Sequence, residues 1–214
     1  MKQTKIYKLA DLTAAQISQI AKHLTQGAVA VLATDTVYGL GTGAFCEASI
    51  ARICALKQRP LTQPMQVLVP SVEGAKKLAV LEGPSRRLAE KYWPGALTLI
   101  LPPTSAGEKL LRGAAGLGLR VPAYEPLTRI LQQMSGPLAC TSANVHGQPV
   151  ITAETFLEKQ FSGQVDYILT AGTLSPVASS VVDFTVCPPQ LLRAAKITKI
   201  ELARTSGILF SEKL

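Results

Sequence analysis

The segment Ala28–Gly41, AVAVLATDTVYGLG, decides the fold. Its first half, Ala28 to Leu32, is an unbroken apolar run, the pattern of a strand buried on both faces. At Ala33 the chemistry changes. Thr34, Asp35, Thr36 and Tyr38 bring hydroxyls and a carboxylate, and Gly39, Gly41 and Gly43 follow. A buried strand that ends in polar side chains and glycines marks the carboxyl edge of an open sheet. Ligands bind there because the strand is rigid and the loop can approach closely. A strand followed by a turn whose hydroxyls cap backbone groups accounts for the same residues.

Around this segment, strands and helices alternate. Lys5 to Leu9 reads as a short first strand. Thr13 caps a helix running through Gln26, with Ile17, Ile20, Ala21 and Leu24 on one face and Gly27 at its end. Glu47 to Lys57 reads as a second helix, stopped at Pro60. Gln66 to Val69 is a strand, Ser71 caps a helix, and Pro84 precedes the helix Ser85 to Tyr92. Strands follow at Ala96 to Leu101 and Leu117 to Val121, separated by a polar, glycine-containing loop, Pro103 to Gly116. Pro126 to Met134 is a helix, Pro137 to Thr141 a buried strand, and Thr152 starts another helix. Val165 to Thr170, Ser180 to Thr185 and Gln190 to Ala194 complete the strands; the last two have no helix between them and should pair antiparallel. The expectation is an α/β fold, an open twisted mixed sheet with helices packed on it, in a single domain over residues 1–214.

Composition narrows the function. Hydrophobic residues at 47% and charged residues at 17% fit a globular protein. No apolar run approaches a membrane span, and MKQTKIYKLADL lacks the apolar centre of a signal peptide. The expected setting is the cytoplasm, with no membrane partner. Cys46, Cys54, Cys140 and Cys187 form no C-x-x-C pair, so neither a zinc site nor a disulfide framework is indicated, and buried apolar roles are expected. The balance of 22 Lys and Arg against 14 acidic residues, formally +8, points to an anionic partner. The cations are dispersed, which favours a charged cleft over a long duplex-binding face.

Four clusters carry chemistry, each at the end of an element. Thr34–Gly39 is the first. Lys57-Gln58-Arg59-Pro60 places two cations where both can reach one polyanion, or where both complement a helix dipole. Leu119-Arg120-Val121-Pro122 puts an arginine inside an apolar strand, where it needs an anion, either structural or from a substrate. Thr141-Ser142-Ala143-Asn144 offers hydroxyls and an amide to a phosphate, a ribose or a metal-bound water. Ser179-Ser180-Val181-Val182-Asp183 and Leu192-Arg193 come later. Neither G-x-x-x-x-G-K-[ST] nor a strand-following G-x-G-x-x-G occurs. His23 is expected to face solvent and His146 to lie on a surface loop, so a serine–histidine pair and a histidine metal site have no support.

Together these clusters resemble the YrdC/TsaC family of threonylcarbamoyl-AMP synthases. The ordered motifs are ATDTVYGLG (33–41), KQRP (57–60), PGALT (94–98), LRVP (119–122) and TSAN (141–144), followed by SSVVD (179–183). The resemblance implies a YrdC-like sheet with a concave basic cleft, without the second domain of longer members. It implies a nucleotidyltransferase that joins L-threonine, bicarbonate and ATP into threonylcarbamoyl-AMP and pyrophosphate, for N6-threonylcarbamoylation of tRNA adenosine 37. Lys57 and Arg59 would be the catalytic cations on the ATP phosphates; Gln63, Ser142, Asn144 and Arg193 would also bind ATP. Thr36, Arg120 and Ser179 would grip threonine. Mg2+ would arrive bound through the nucleotide, with no protein-held metal. RNA, including tRNA, and proteins of the threonylcarbamoylation pathway are further partners the resemblance allows.

The chain departs from the family pattern at Ala33 for proline, Gln63 for asparagine, Leu68 for a histidine of some members, and Arg193-Ala194-Ala195 for R-x-G. A YciO-like branch keeps the fold without the K-x-R and S-x-N sets, both of which are present here. A family member with altered acyl chemistry and an RNA-binding protein using the same basic surface are the competing readings.

Overall fold

The computed structural model describes residues 3–145 and 147–212; His146 lies outside them. Eleven strands form one mixed sheet. In chain order they are β1 (Lys5–Lys8), β2 (Ala30–Leu32), β3 (Gly39–Gly43), β4 (Gln66–Leu68), β5 (Leu97–Leu101), β6 (Leu117–Arg120), β7 (Leu138–Ser142), β8 (Tyr167–Thr170), β9 (Ser180–Asp183), β10 (Gln190–Arg193) and β11 (Ser211–Glu212). Across the sheet the order is β1-β8-β2-β3-β7-β4-β6-β5-β9-β10-β11. Seven α-helices connect them: α1 (Ala14–Thr25), α2 (Glu47–Lys57), α3 (Val72–Leu78), α4 (Gly83–Tyr92), α5 (Glu125–Gln133), α6 (Glu154–Phe161) and α7 (Lys199–Ser206). Among the described residues no helix is long and apolar enough to cross a membrane.

Local signals set most boundaries. Thr13 caps α1 in a capping box with Gln16. Ser71 accepts the Gly74 amide at the start of α3. The end of α2 is set by Gln58, which takes the left-handed conformation at φ 53°, two residues before the proline expected to stop it. The antiparallel pairing of β9 with β10 is as expected, and α7 and β11 add elements where none was read.

The glycines of GLGTG do not form a ligand-cradling loop. They are β3, antiparallel to both β2 and β7. A Cβ on Gly39 would lie 2.5 Å from Cys140 Sγ, and one on Gly43 would lie 2.7 Å from the Leu24 carbonyl of α1. The glycines let a helix and two strands close on β3. Gly43→Ala is therefore expected to cost about 1–3 kcal/mol, because the obstructing atom is backbone and cannot swing aside. Thermal unfolding should show a midpoint several degrees lower; an unchanged midpoint would refute the close-approach account.

Strand alternation explains where the sheet is open. At its centre, Leu68, Leu138 and Cys140 enter a core cluster shared with α1, α5 and α6, whereas Val67, Val69 and Ala139 enter a second cluster shared with α3, α4 and α7. Beyond the centre the second cluster takes Leu97, Leu99, Leu117, Leu119 and Val182. Their alternate neighbours Thr98, Ile100, Gly118, Arg120, Val181 and Asp183 lie on the other face. Among the described residues no helix residue lines that half-face, and it forms the floor of a cleft of about 550 Å³.

The loop 103–116 is tied down along its length. Ala79 bridges Pro103, the Thr104 amide donates to the Leu78 carbonyl at 2.9 Å, and Leu110 is buried. Its end, Ala114 to Gly116, forms part of the cleft wall. His23, expected to face solvent, is half-buried, with Nδ1 2.5 Å from the Tyr167 hydroxyl, because β8 passes beneath the end of α1. All four cysteines are free; Cys54 and Cys140 are buried as expected, Cys46 is half-buried, and Cys187 is exposed in the turn between β9 and β10.

Candidate active site

The cleft is lined by Thr34 and Thr36 to Gly39, by residues of β4–β7, and by β9 and β10, and its volume is within the usual range for small-molecule sites. The turn after β2 thus enters the site, as its position at a strand's carboxyl end requires. Of the sequence-derived candidates, Thr36, Arg120, Ser142, Ser179 and Arg193 line the cleft directly. Lys57, Arg59 and Asn144 lie behind its wall, and Gln63 is exposed on the loop after Pro60.

Arg120 is 2% exposed. Its Nε donates to the Gly95 carbonyl at 2.9 Å, one terminal nitrogen to Thr36 Oγ1 at 2.9 Å, and the other to Asp35 Oδ1 at 2.5 Å. The structural anion demanded by an arginine in a strand is Asp35, from the motif read as its own cluster. Three of the five guanidinium N–H groups are used in this way, and the side chain lines the cleft. Gly95, in the PGALT motif, serves Arg120 through its carbonyl, while its own amide donates to Val121 at 2.8 Å. A side chain there would meet the Tyr92 carbonyl at 2.4 Å, so the motif's glycine is sterically required.

Lys57 differs from its sequence reading. As one of two cations at a helix end it reads as a solvated charge, but it is 3% exposed. Lys57 continues the buried stripe Ile50, Ile53 and Cys54 of α2, which directs it inward beneath the loop after β7. Its Nζ donates to the Ser142 carbonyl at 2.5 Å, the Asn144 carbonyl at 2.6 Å and Asn144 Oδ1 at 3.0 Å. All three ammonium protons are thereby committed. Ser142 Oγ lies 2.5 Å from the same Oδ1, and Asn144 Nδ2 donates to the Gln148 carbonyl. Burial, and next the positive charge of Arg59, lower the Lys57 pKa to about 8.

Arg59 bonds Thr141 Oγ1 at 2.9 Å and the carbonyls of Gln63 and Pro64, so it pins the 60–64 loop to β7. Its Nε is buried without a partner among the described residues, a donor left for an anion. The Cys140 thiol also lines the cleft, but burial pushes its pKa up to about 12, which makes it a poor nucleophile. Leu68, at the position of the family histidine, is fully buried in the core.

Sequence reading missed Gln66, and it noted Thr98 only as part of a motif. The two side chains meet at 3.1 Å, and Thr98 Oγ1 lies 2.9 Å from Ser179 Oγ. The available signal was alternation: Gln66 is the one polar residue in an apolar β4, so it must occupy the open face.

Comparison with known proteins bears directly on this geometry. The family model for Sua5, YciO and YrdC proteins, described as "Telomere recombination", matches residues 22–195. A threonylcarbamoyl-AMP synthase of Pyrococcus abyssi is 32% identical over 190 residues, 87% of this chain and 56% of that protein. A Mycobacterium leprae relative is 33% identical over 202 residues, 93% of this chain and 91% of its own length. The chain thus spans little more than half of the Pyrococcus relative and nearly all of the mycobacterial one. The crystal structure of Pyrococcus abyssi Sua5 complexed with L-threonine superposes with a TM-score of 0.85 at 28% identity, covering 100% of this chain and 62% of that one.

Proposed function

The chain belongs to the Sua5/YciO/YrdC family, and on that premise we propose that it is a threonylcarbamoyl-AMP synthase. It converts L-threonine, bicarbonate and ATP into threonylcarbamoyl-AMP, pyrophosphate and water. The product supplies the N6-threonylcarbamoyl group of tRNA adenosine 37, and a cytoplasmic setting suits those substrates. The observation that carries the reading is the cleft itself: Arg120 and Arg193 stand on its floor and rim, and Lys57 and Arg59 back its far wall.

Arg120, Thr36 and Ser179 hold the threonine carboxylate and orient its amine. The amine takes up the carbon of bicarbonate with loss of water, giving a carbamate. A carbamate oxygen attacks the α-phosphorus of ATP, and the bond to the bridging oxygen breaks, so that pyrophosphate leaves with both electrons. Arg59 and Arg193, with the Thr141 hydroxyl, stabilise the phosphate charge; Ser142, whose proton goes to Asn144 Oδ1, would offer its oxygen to magnesium carried on the nucleotide, while Lys57 fixes the Ser142–Asn144 loop and adds its field. Gln63 reaches the nucleotide from the loop that Arg59 pins. Catalysis by positioning and electrostatics fits a site whose cysteine is held as the thiol. The oxygen donors beside the phosphates are hydroxyls and one amide, a set that fits Mg2+ carried in on ATP. Such an ion would partly neutralise the phosphate charge.

The test is pyrophosphate release from ATP and bicarbonate, with and without L-threonine, with the product identified by mass spectrometry. Threonine-dependent release of the adenylate is expected. Release that does not need threonine would favour altered acyl chemistry. No release from folded protein that still binds ATP would sink the proposal.

A further inference from the structure

Five neighbouring strands form the cleft floor, and a row of hydrogen bonds crosses it. Arg193, on β10, donates from its terminal nitrogen to Ser179 Oγ at 3.2 Å. Ser179 Oγ lies 2.9 Å from Thr98 Oγ1, and Thr98 Oγ1 donates to Gln66 Oε1 at 3.1 Å. The Gln66 carbonyl oxygen can only accept, so Thr98 spends its one proton there and the sense of the row follows from that end. Ser179 accepts from Arg193 and must give its own proton to Thr98. Thr98 gives its proton to Gln66. The Gln66 carbonyl oxygen is thus pinned by a chain polarised from a cation, and the amide nitrogen is the donor end, with one proton towards the Cys140 thiol and the second left for a ligand.

Gln66 and Thr98 are not on adjacent strands, because β6 lies between β4 and β5. They meet because the residue between them is Gly118. A Cβ there would stand 3.6 Å from Thr98 Cγ2 and 3.9 Å from the Gln66 Cα, in ordinary contact with both. Gly118 therefore leaves a recess about one small side chain deep, walled by the Thr98 methyl group, the Gln66 backbone and Ile100. On the same strand face, two residues along, stands Arg120, about 6.6 Å away at strand spacing. An α-amino acid whose carboxylate meets Arg120 spans that distance with its side chain over Gly118.

We propose that Gln66 reads the side-chain hydroxyl of the amino-acid substrate, with the Gly118 recess taking its methyl group. This inference rests on the function proposed above and adds a specificity determinant to it. Arg193 orients Gln66 through the row, so the nucleotide and amino-acid ends of the cleft share one hydrogen-bonded frame.

The experiment is calorimetric binding of L-threonine, L-valine and L-serine to the full chain and to two variants, with ATP binding measured alongside. Gln66→Leu is expected to weaken threonine about tenfold, the worth of a net hydrogen bond, while valine, which lacks the hydroxyl, and ATP stay within about twofold. Gly118→Ala, which leaves Gln66 in place, is expected to weaken threonine more than serine, because only threonine brings a methyl group to the recess. Equal weakening of threonine and valine in Gln66→Leu, or no change in either, overturns the assignment while leaving the synthase reading intact. Should Gln66→Leu not fold, a Gly118→Ala variant that treats threonine and serine alike overturns it. A wild-type protein that binds ATP and no amino acid overturns the synthase reading and this assignment with it.

Discussion

Lys57→Ala is expected to abolish threonine-dependent pyrophosphate release and also to destabilise the protein, by about 2–4 kcal/mol. The Lys57 ammonium is buried and satisfies two carbonyls and the Asn144 side chain. Removing it leaves buried acceptors unpaired, each at about 1–3 kcal/mol, partly offset because the Ser142 carbonyl keeps the Asn144 amide. At this chain length that lowers the melting midpoint by roughly 5–15 °C. Arg59→Ala is the contrast, since its guanidinium is only half-buried and its loop partners can reach water. It should lose turnover to a similar degree with a midpoint within a few degrees of wild type. A Lys57→Ala protein that melts like the wild type would show that the ammonium does not hold the Ser142–Asn144 loop.

The pH dependence of this clamp has a definite sign. With the Lys57 pKa lowered from 10.5 to about 8, the unfolded chain binds more protons between those values. The penalty for keeping the group charged is therefore fully present below pH 8 and is relieved as pH rises towards 10.5. Function runs the opposite way, because the third hydrogen bond and the field on the phosphates both need the proton. Turnover should fall as pH rises through about 8, and saturating ATP should move that fall upwards, since a bound polyanion favours the ammonium.

Arg120→Ala is expected to cost about 3–5 kcal/mol, because it leaves the Asp35 carboxylate, whose side chain is only 9% exposed, without its counter-charge. The fraction that folds should show a strongly raised threonine requirement. Arg120→Lys separates the two effects. Lysine restores the charge opposite Asp35 but cannot fork to Gly95, Thr36 and a ligand together. Part of the stability should return while the threonine KM stays at least about tenfold above wild type. A folded Arg120→Lys protein with a wild-type threonine KM and a raised ATP KM would show that this arginine serves the nucleotide instead.

What the sequence determined by itself was local. The bounds of α2, the Thr13 helix cap and the buried run of β2 follow from spacing and side-chain chemistry within a few residues. The motif ends that carry Thr36, Arg120, Ser142 and Ser179 were legible because polar residues at the ends of apolar strands have few places to go. The tertiary structure decided what depends on approach from outside the segment. Gly39–Gly43 reads as a loop until one knows that α1 and two strands close on it. Lys57 reads as a surface cation until β7 brings the carbonyls of Ser142 and Asn144 over it. Asp35 and Arg120 are far apart in the chain and become partners only because the turn after β2 overhangs the end of β6. The cleft has the same origin: alternation assigns residues to two faces, but the crossovers decide which half-face receives helices. That choice is made by contacts between distant segments, which no local periodicity encodes.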